Sequence, residues 1–230
     1  MNILVCAPTE LELAPFIEHC KLNFEQLSFS KFKITSTDEV EILITGVGSV
    51  MTTHSLAKYF TLNTTKLAIQ IGVAGTFEQD APLGNVYEVK SDCFADWGAE
   101  SVEENKYLDL FDLNLAKENQ YPFADKKLIN ENPIFENVES VNAITVNTIS
   151  TNTQRNIFFK EKYEAQIETM EGAAFAYSCM MGLVDFGHLR GISNYVGDRD
   201  KKNWKLRSTI QNVNQVLIQW IQMRLRSNEI

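Results

Sequence analysis

Short apolar runs alternate with longer stretches of helical periodicity along most of the chain. Short runs rich in apolar residues indicate buried strands, and apolar residues recurring every three to four positions indicate helices. The pattern predicts strands over Ile3–Ala7, Val40–Thr45, Leu67–Ile71, Val86–Val89, Ala143–Val146, Gln166–Thr169 and Leu189–Ser193. It predicts helices over about Glu10–Cys20, Ser49–Phe60, Glu171–Met181 and Leu206–Arg226. This alternation predicts an α/β fold, with a central, mostly parallel mixed sheet flanked by helices in one domain over residues 1–230.

Glycine and serine mark the predicted boundaries between these elements. Gly46-Val47-Gly48 is predicted to form a turn, and Ser49 can cap the helix that follows it. A second turn is expected at Gly72-Val73-Ala74-Gly75, at the end of the third strand. The region from Asp92 to about Ser140 is the least regular, and it is interpreted as an insertion that shapes a pocket or a subunit contact.

Composition and charge restrict the classes of function. The chain has 230 residues, 44% hydrophobic and 22% charged, which is typical of a globular protein with a substantial core. Its net charge of −9 provides no positive field for phosphate backbones, so nucleic acid is not expected as a partner. The apolar stretch Ala173–Val184 is too short to span a bilayer, and the N-terminus does not resemble a secretory signal. A cytoplasmic protein without a membrane partner is therefore expected.

Cysteine and histidine spacing gives no indication of a metal site. The four cysteines are far apart, without a C-x-x-C pair, and are expected to be reduced and buried: Cys6, Cys20, Cys93 and Cys179. The three histidines do not have the spacing of metal ligands: His19, His54 and His188. No metal and no cofactor are expected.

Three glycine or nucleophile motifs of well-known enzyme classes are not matched. Gly46–Met51 lacks the third glycine of a dinucleotide fingerprint, and Gly72–Phe77 lacks the Gly-Lys-Ser/Thr ending of a phosphate-binding loop. The sequence contains no G-x-S-x-G elbow. The glycines still indicate close backbone approach, either to a ligand or at strand ends.

The last predicted strand ends in a group of polar residues. Ser193, Asn194, Asp198 and Arg199 follow an apolar run that starts near Phe186. In open α/β sheets, ligands bind at the carboxyl edge of the strands. This segment is therefore the first candidate for a binding site.

Five short motifs occur in order along the chain and together resemble a known superfamily. They are Ala7-Pro8-Thr9-Glu10-Leu11-Glu12, Thr45-Gly46-Val47-Gly48, Gly72-Val73-Ala74-Gly75, Met170-Glu171-Gly172-Ala173 and Arg190-Gly191-Ile192-Ser193-Asn194. The set resembles the purine nucleoside phosphorylase and nucleosidase superfamily, in particular its methylthioadenosine/S-adenosylhomocysteine nucleosidase-like branch. The resemblance implies a nucleoside phosphorylase-like fold, hydrolysis of the N-glycosidic bond of a small purine nucleoside, and a homo-oligomer.

Three further segments narrow this resemblance. Thr9–Glu12, Thr145–Ile149, and Ile192–Asp200 followed by Trp204 are similar to the futalosine-cleaving nucleosidases of the superfamily, which act in an alternative menaquinone pathway. That similarity implies cleavage of futalosine to hypoxanthine and dehypoxanthine futalosine.

The resemblance assigns roles to three charged residues. Glu12 would orient and deprotonate the attacking water, Glu171 would accept hydrogen bonds from ribose hydroxyls beside Met170, and Arg190 would position the water or Glu12. Each has a structural alternative: a first-turn acid near a helix dipole for the two glutamates, and a structural ion pair for the arginine. Substrate contacts are further expected from Val73, Gly75, Thr148, Ile149 and Ser193.

Asn194 is the candidate for recognition of the base. Related adenine-releasing nucleosidases have aspartate at the matching position. An amide can donate to O6 of a 6-oxopurine while its oxygen accepts a proton held on N7, whereas an ionised carboxylate can only accept. Hypoxanthine therefore fits asparagine better than it fits aspartate. The alternative role is an asparagine that forms a turn at a strand end.

Arg199 lies in a segment rich in cations that also contains Trp204. The arginine could bind the carboxylate of the aryl substituent of futalosine while an aromatic ring stacks on that substituent. The alternative is a solvated loop before the last helix.

Three other functions stay open at this point. One is a nucleosidase for methylthioadenosine, S-adenosylhomocysteine or aminodeoxyfutalosine, against which Asn194 argues. Another is a phosphorylase, against which Glu12 and the absence of a basic loop near Gly46–Gly48 argue. The third is a non-catalytic nucleoside-binding protein, against which the combination of Glu12, Glu171 and Arg190 argues.

Overall fold

The computed structural model describes residues 2–101 and 106–227 as strands and helices that alternate along the chain. The strands are β1 (Asn2–Ala7), β2 (Glu25–Gln26), β3 (Lys31–Lys33), β4 (Glu39–Ile44), β5 (Leu67–Thr76), β6 (Val86–Asp92), β7 (Gly98–Ser101), β8 (Lys106–Asp109), β9 (Leu128–Ile129), β10 (Ser140–Thr145), β11 (Ile167–Thr169) and β12 (Asp185–Tyr195). The helices are α1 (Glu10–Asn23), α2 (Ser49–Leu62), α3 (Thr153–Tyr163), α4 (Gly172–Met181) and α5 (Leu206–Ser227). A short 3-10 turn covers Lys201–Asn203.

Ten of the strands form one mixed sheet. Its order is β11-β10-β6-β12-β5-β1-β4-β3-β2, with β9 paired to β6. The central strands β12, β5, β1 and β4 are mutually parallel, and β11 also pairs antiparallel with the end of β5. β7 and β8 form a separate two-stranded sheet. The predicted α/β fold with a mixed, largely parallel sheet is confirmed.

Helices cover both faces of the sheet, which explains the continuous apolar runs of its central strands. In β1, Ile3 and Val5 belong to one buried cluster, and Leu4 and Cys6 belong to another. The first cluster includes residues of α1 and α5, such as Phe16 and Leu217, and the second includes residues of α2 and α4. Each buried side chain of this size contributes roughly 1.5–3 kcal/mol to the free energy of folding. The two-sided core fixes the strand ends that carry the site.

Two predicted boundaries are wrong. Gly72–Gly75 is not a turn: β5 continues to Thr76 because β12 and β11 supply hydrogen-bonding partners along its last residues. Ser49 is not the cap of α2. The cap position is Gly48, with φ of +87° and no side-chain hydrogen bond, and the Ser49 hydroxyl donates instead to the Met170 carbonyl at 3.4 Å.

Helix α3 lies in a part of the sequence for which no helix was predicted. Its cap is Asn152, whose Oδ1 accepts hydrogen bonds from the amides of Gln154 and Arg155. The helix buries only two apolar side chains, Phe159 and Tyr163, beside the polar Arg155 and Asn156, so its apolar face is short. The asparagine cap was the available signal in the sequence.

The predicted insertion from Asp92 to about Ser140 contains the β7–β8 sheet, β9 and a connecting loop. Within the described part of it, Asp112 accepts hydrogen bonds from Lys126 at 2.8 Å and from Lys162 of α3 at 2.5 Å. These ion pairs attach the insertion to α3. Among the residues that the structure describes, no helix is long and apolar enough to cross a membrane, and no group of His, Cys, Asp and Glu side chains could hold a metal ion.

Candidate active site

The candidate site lies where β1, β5, β11 and β12 end. The start of α1 supplies Glu12, the connection between β11 and α4 supplies Met170 and Glu171, and β12 supplies Arg190. Gly72 of β5 lies between two of these side chains. A Cβ added there would lie 2.5 Å from Arg190 Nη1 and 3.0 Å from Glu12 Oε1. Glycine is thus required at position 72 by the close packing of the glutamate and the arginine.

Glu12 is held in place by hydrogen bonds to both carboxylate oxygens. The Thr9 hydroxyl donates to Oε2 at 2.6 Å and the Val73 amide donates to Oε1 at 3.1 Å. The same hydroxyl accepts the Glu12 amide at 3.4 Å, which caps α1. Burial raises the pKa of Glu12, while Thr9, the charge of Arg190 and the Val73 amide act in the opposite direction. A carboxylate with a raised pKa is suited to accept a proton from water near neutral pH.

Arg190 is fully buried, and its guanidinium is surrounded by acceptors. Nε donates to His188 Nε2 at 2.7 Å, Nη2 donates to Gln70 Oε1, and Nη1 approaches the Val73 carbonyl and Glu171 Oε2, both at 3.4 Å. The acidic partner of Arg190 is therefore Glu171, at 3.4 Å. Because every contact fixes the guanidinium plane, the arginine is a rigid part of the site.

Glu171 occupies the cap position of α4 but makes no side-chain cap there. Its Oε1 instead accepts a hydrogen bond from the Gly48 amide at 3.0 Å, and its Oε2 pairs with Arg190. The carboxylate thus connects the loop before α2 to β12. Its side chain is directed by tertiary contacts rather than by capping of its own helix.

A buried layer below Arg190 was not identified from the sequence. Asp92 accepts hydrogen bonds through Oδ1 from the Cys93 amide at 2.8 Å and the Thr145 hydroxyl at 3.0 Å. Burial raises the pKa of Asp92 to about 7. Burial, together with the Arg190 charge, lowers the pKa of His188 well below its usual range, so the imidazole is neutral and accepts from Arg190. Gly172 makes room for this layer, because a Cβ there would collide with the Asp92 carboxylate and the His188 ring.

The other end of the site is formed by Asn194 and its neighbours. Asn194 Oδ1 accepts a hydrogen bond from the Ser193 hydroxyl at 2.8 Å, and Nδ2 donates to the Tyr195 carbonyl at 3.0 Å. The pairing of β12 with β5 shifts register between Ile192 and Asn194, so Ser193 is an extra residue in β12. The bulge brings Asn194 opposite Gly75, where a Cβ would lie 3.2 Å from the Asn194 amide nitrogen.

A cavity of about 180 Å³ connects the two ends. Among the predicted site residues, its lining includes Glu12, Val73, Gly75, Ile149, Met170, Glu171, Ser193, Asn194 and Arg199. Arg190 lies behind this lining, in contact with Glu171. Pro8, Val47 and Trp204 add apolar wall, and Glu168 and Thr169 complete the polar part. The cavity therefore combines apolar walls with a few convergent polar groups, as ligand sites do.

Thr148 is the one predicted substrate contact that the structure places outside this lining. It lies in a neighbouring cavity of about 490 Å³, where its amide donates to Asp96 Oδ2 at 3.1 Å and its carbonyl accepts from Arg155 Nη1 at 2.8 Å. Asp96 and Arg155 are also paired with each other at 3.4 Å. The charged groups Asp96 and Arg155 of the larger cavity are thus already paired with each other. The smaller cavity contains the candidate catalytic residues Glu12, Glu171 and Asn194.

Four residues of the candidate site and the layer behind it were not identified from the sequence: Gln70, Asp92, Glu168 and His188. His188 and Arg190 are two residues apart and therefore lie on the same face of β12, which is a local signal. Gln70 is a single polar residue within the apolar first half of β5, a second signal that the composition of that strand offers. Glu168 lies in a short strand that also contains Thr169, so it has no such signal. Asp92 lies at the end of β6 and has no comparable signal.

Comparison with known proteins gives consistent results for sequence and structure. A profile of the phosphorylase superfamily matches residues 2–222. Futalosine hydrolase of Thermus thermophilus is 28% identical over 218 residues, which cover 90% of this chain and 89% of that protein. A mutant of futalosine hydrolase from Helicobacter pylori superposes with a TM-score of 0.78 at 15% identity, covering 97% and 99% of the two chains. A putative 5′-methylthioadenosine/S-adenosylhomocysteine nucleosidase from Francisella philomiragia gives a TM-score of 0.77 at 15% identity, covering 96% and 98%.

Proposed function

The chain belongs to the phosphorylase superfamily, and from that membership we propose that it hydrolyses the N-glycosidic bond of futalosine to hypoxanthine and dehypoxanthine futalosine. This reaction belongs to an alternative route to menaquinone. The observation that carries the proposal is the pairing, in one cavity, of a buried carboxylate held beside Arg190 with an amide at the opposite end. The first suits activation of water, and the second suits a 6-oxopurine.

Hydrolysis needs a water directed at C1′ of the ribose. Glu12 accepts a proton from that water as its oxygen forms a bond to C1′ and the bond from C1′ to N9 of the base breaks. The Val73 amide and the Thr9 hydroxyl fix the orientation of the carboxylate in advance. A fixed general base does not have to be reoriented during the reaction.

The sugar develops positive charge as the base leaves, and two carboxylates are placed to stabilise it. Glu171 retains acceptor capacity beyond its contacts with Gly48 and Arg190, and it accepts hydrogen bonds from the ribose hydroxyls. Met170 packs on the sugar. Arg190 contacts Glu171 and lies close to Glu12 across Gly72, so it is a positioning residue for both.

The leaving base takes up the electron pair of the broken bond. N7 of the departing base takes a proton from solvent, and Asn194 stabilises the base by donating from Nδ2 to O6 and accepting a hydrogen bond from N7–H through Oδ1. Both groups now contact only Ser193 and Tyr195, which leaves capacity for the base. An amide is not a strong acid, so stabilisation of the leaving base depends on hydrogen bonding.

Charge around the sugar favours water over phosphate as the nucleophile. Among the described residues that line the cavity, the only cationic side chain is Arg199, whereas Glu12 and Glu171 both face the sugar. Arg190 makes its contacts with Glu171, His188, Gln70 and Val73. A phosphate dianion beside the sugar would meet two carboxylates, while Arg190 already has its acceptors and Arg199 is assigned to the other end of the substrate.

Arg199 is proposed to bind the carboxylate of the aryl substituent of futalosine. The arginine is exposed, its guanidinium carbon lies 5.7 Å from the centre of the Trp204 ring, and both residues line the cavity. Burial raises the pKa of Glu168, and the charge of Arg199 offsets a part of that rise. Binding of the aryl carboxylate can be tested by comparing two substrates. Arg199→Ala should raise the KM for futalosine but not the KM for inosine, which lacks the aryl carboxylate. An unchanged KM for futalosine would contradict the assignment.

Self-association and a cytoplasmic location are part of the proposal. Val47, Val50 and Met51 are exposed apolar residues at the start of α2, beside the cavity, and a second copy of the chain would cover them. Val50→Glu should therefore lower the mass measured by sedimentation equilibrium. The four cysteines are free and buried, as expected in a reducing compartment.

One assay tests the function. The protein is incubated with futalosine, aminodeoxyfutalosine, methylthioadenosine and inosine, with and without phosphate, and the released base and sugar are identified. The proposal expects hypoxanthine from futalosine without phosphate, with Glu12→Gln as the inactive control. Release of adenine alone would indicate an adenine nucleosidase, a strict requirement for phosphate would indicate a phosphorylase, and binding without turnover would indicate a binding protein.

A further inference from the structure

Two neighbouring strands place uncharged acceptors behind the Arg190 guanidinium. Gln70 of β5 and His188 of β12 are directly paired across the sheet, and both side chains are fully buried. Arg190 Nε donates to His188 Nε2 at 2.7 Å, and Nη2 donates to Gln70 Oε1. Neither acceptor is among the residues that line the cavity. They therefore hold the arginine from the side that is away from the substrate.

The acids near Arg190 are arranged differently from these acceptors. On the cavity side, the guanidinium contacts Glu171 Oε2 at 3.4 Å and lies close to Glu12 Oε1. Asp92 of β6, the third acid of the layer, accepts hydrogen bonds from a backbone amide and a threonine hydroxyl instead. Both carboxylates that face the arginine thus belong to the catalytic side, and the acceptors behind it carry no charge.

Packing fixes the His188 ring independently of the arginine. The ring meets the Phe175 ring edge to face, with centroids 5.7 Å apart and an interplanar angle of 61°. On its other side there is room only because residue 172 is glycine, since a Cβ there would lie 2.5 Å from His188 Cε1. A ring held in this way directs Nε2 at the arginine in advance, which is how a supporting residue improves the precision of a site.

We infer that His188 and Gln70 are positioning residues for hydrolysis: their uncharged acceptors fix the guanidinium plane of Arg190, so its positive charge stays available to the two glutamates of the cavity. The inference rests on the proposed function, in which Glu12 is the general base. An imidazole can accept at Nε2 only when it is neutral and carries its proton on Nδ1. The role therefore requires one tautomer of His188 and excludes the imidazolium.

The charge of Arg190 has a defined effect on the general base. It lowers the pKa of Glu12, against the larger effect of burial, while the nearby charge of Glu171 raises it. A carboxylate placed behind the arginine would offset this positive charge. The pKa of Glu12 would then rise, and the fraction of Glu12 that can accept a proton from water would fall at a given pH.

The test compares variants that keep, remove or charge an acceptor. His188→Gln keeps an uncharged acceptor, His188→Leu removes it, and Gln70→Glu replaces an uncharged acceptor by a carboxylate. Thr209→Val is the matched control, because it removes a buried hydrogen bond to β12, from the Thr209 hydroxyl to the Ile192 carbonyl at 3.1 Å, outside the cavity. Thermal melts establish that each variant folds, and kcat and KM are measured for futalosine across a range of pH.

His188→Leu should lower kcat by roughly 10- to 100-fold while KM changes by less than about threefold, because the arginine loses its orientation and not a substrate contact. His188→Gln should recover at least about fivefold of that loss, since its amide oxygen can accept from Nε. Thr209→Val should lower the melting temperature without this loss of kcat. A folded His188→Leu with the kcat of the wild type, or equal losses in His188→Gln and His188→Leu, would overturn the inference.

Gln70→Glu tests the requirement for an uncharged acceptor. On the acidic side, kcat/KM should reach half of its maximum at a higher pH than in the wild type, because the pKa of Glu12 rises. An unshifted profile in the folded variant would show that the charge of the acceptor is irrelevant and would overturn this part of the inference.

A spectroscopic measurement tests the tautomer without turnover. In protein labelled with ¹⁵N at histidine, the His188 signals are identified by their absence in His188→Gln. They should report a neutral ring with the proton on Nδ1 at every pH at which the protein is folded and active. A protonated ring, or a proton on Nε2, would overturn the inference even if His188→Leu does not fold. If the wild type fails to cleave futalosine, the proposed function is refuted, while the tautomer still reports on the contact between His188 and Arg190.

Discussion

The two ends of the cavity differ in how far their polar groups are already paired. At the sugar end, Glu12, Glu171 and Arg190 all contact other protein groups, and both oxygens of each glutamate have partners. At the base end, Asn194 contacts only its sequence neighbours, and Glu168 Oε2 has no partner in the described chain. The ends are thus organised in opposite ways within one small site.

This difference separates catalysis from recognition. Groups that are fixed before the substrate arrives need little rearrangement in the transition state, which suits a general base and its positioning residue. Groups with free capacity gain partners only from a matching ligand, which suits selection between purines. Changes at the sugar end should therefore affect all substrates alike, and changes at the base end should alter the ratio between them.

The largest effect is expected for Glu12→Gln. Glutamine keeps the shape of the side chain but cannot accept a proton from water, so kcat should fall by about 10²- to 10⁴-fold for every nucleoside. Hypoxanthine binding, measured by calorimetry, should change little. A comparable loss of hypoxanthine affinity would show that the two ends are not separate.

The next largest effects are expected for alanine substitutions at two glycines of β5, Gly72 and Gly75. In Gly72→Ala the new methyl group would lie 2.5 Å from Arg190 Nη1 and would displace Arg190 and Glu12. The kcat should therefore fall by on the order of 10²-fold without a change in base preference. In Gly75→Ala the methyl would lie 3.2 Å from Asn194 Nδ2 and should mainly change the ratio of hypoxanthine to adenine release. Melting temperatures provide the control for overpacking. Equal effects of both substitutions on both readouts would contradict the separation.

A smaller effect is expected for Asn194→Asp. An ionised carboxylate repels O6 but accepts from the 6-amino group of adenine, so the ratio of kcat/KM for futalosine to that for aminodeoxyfutalosine should fall by about 10- to 100-fold. Both released bases are quantified by chromatography. If the ratio is unchanged, Asn194 has a structural role at the end of the strand.

The smallest effect concerns stability against pH. The pKa of Glu168 is raised from 4.5 to about 7 by burial, so the folded state favours the neutral carboxyl. The neutral carboxyl therefore adds to the free energy of unfolding below about pH 4.5, and this stabilisation is lost as pH rises through about 7. The melting temperature of the wild type relative to Glu168→Gln should therefore fall by a few degrees between pH 5 and about 8. Asp92 shifts in the same direction in both proteins, so the comparison cancels its contribution.

The sequence predicted the fold and the sugar end better than the base end. Strands such as β1 and β12 have local apolar patterns, and Glu12, Glu171 and Arg190 lie in motifs with a chemical interpretation. Glu168 was not predicted to line the cavity, because its place beside Gly75 depends on antiparallel pairing of β11 with β5, a contact between distant parts of the chain. The same pairing explains why Gly72–Gly75 was wrongly predicted as a turn: local glycine content suggested a break that two neighbouring strands prevent.

The bulge at Ser193 affects how readily substrate preference can be altered. The part of β12 up to Ile192, which includes Arg190, pairs with β5 in one register, and the part from Asn194 pairs with β5 in another. Side chains after the extra residue can be exchanged without moving those before it. A small combinatorial library at positions 75, 168 and 194 could therefore search for enzymes that release other bases while retaining one intact hydrolytic apparatus.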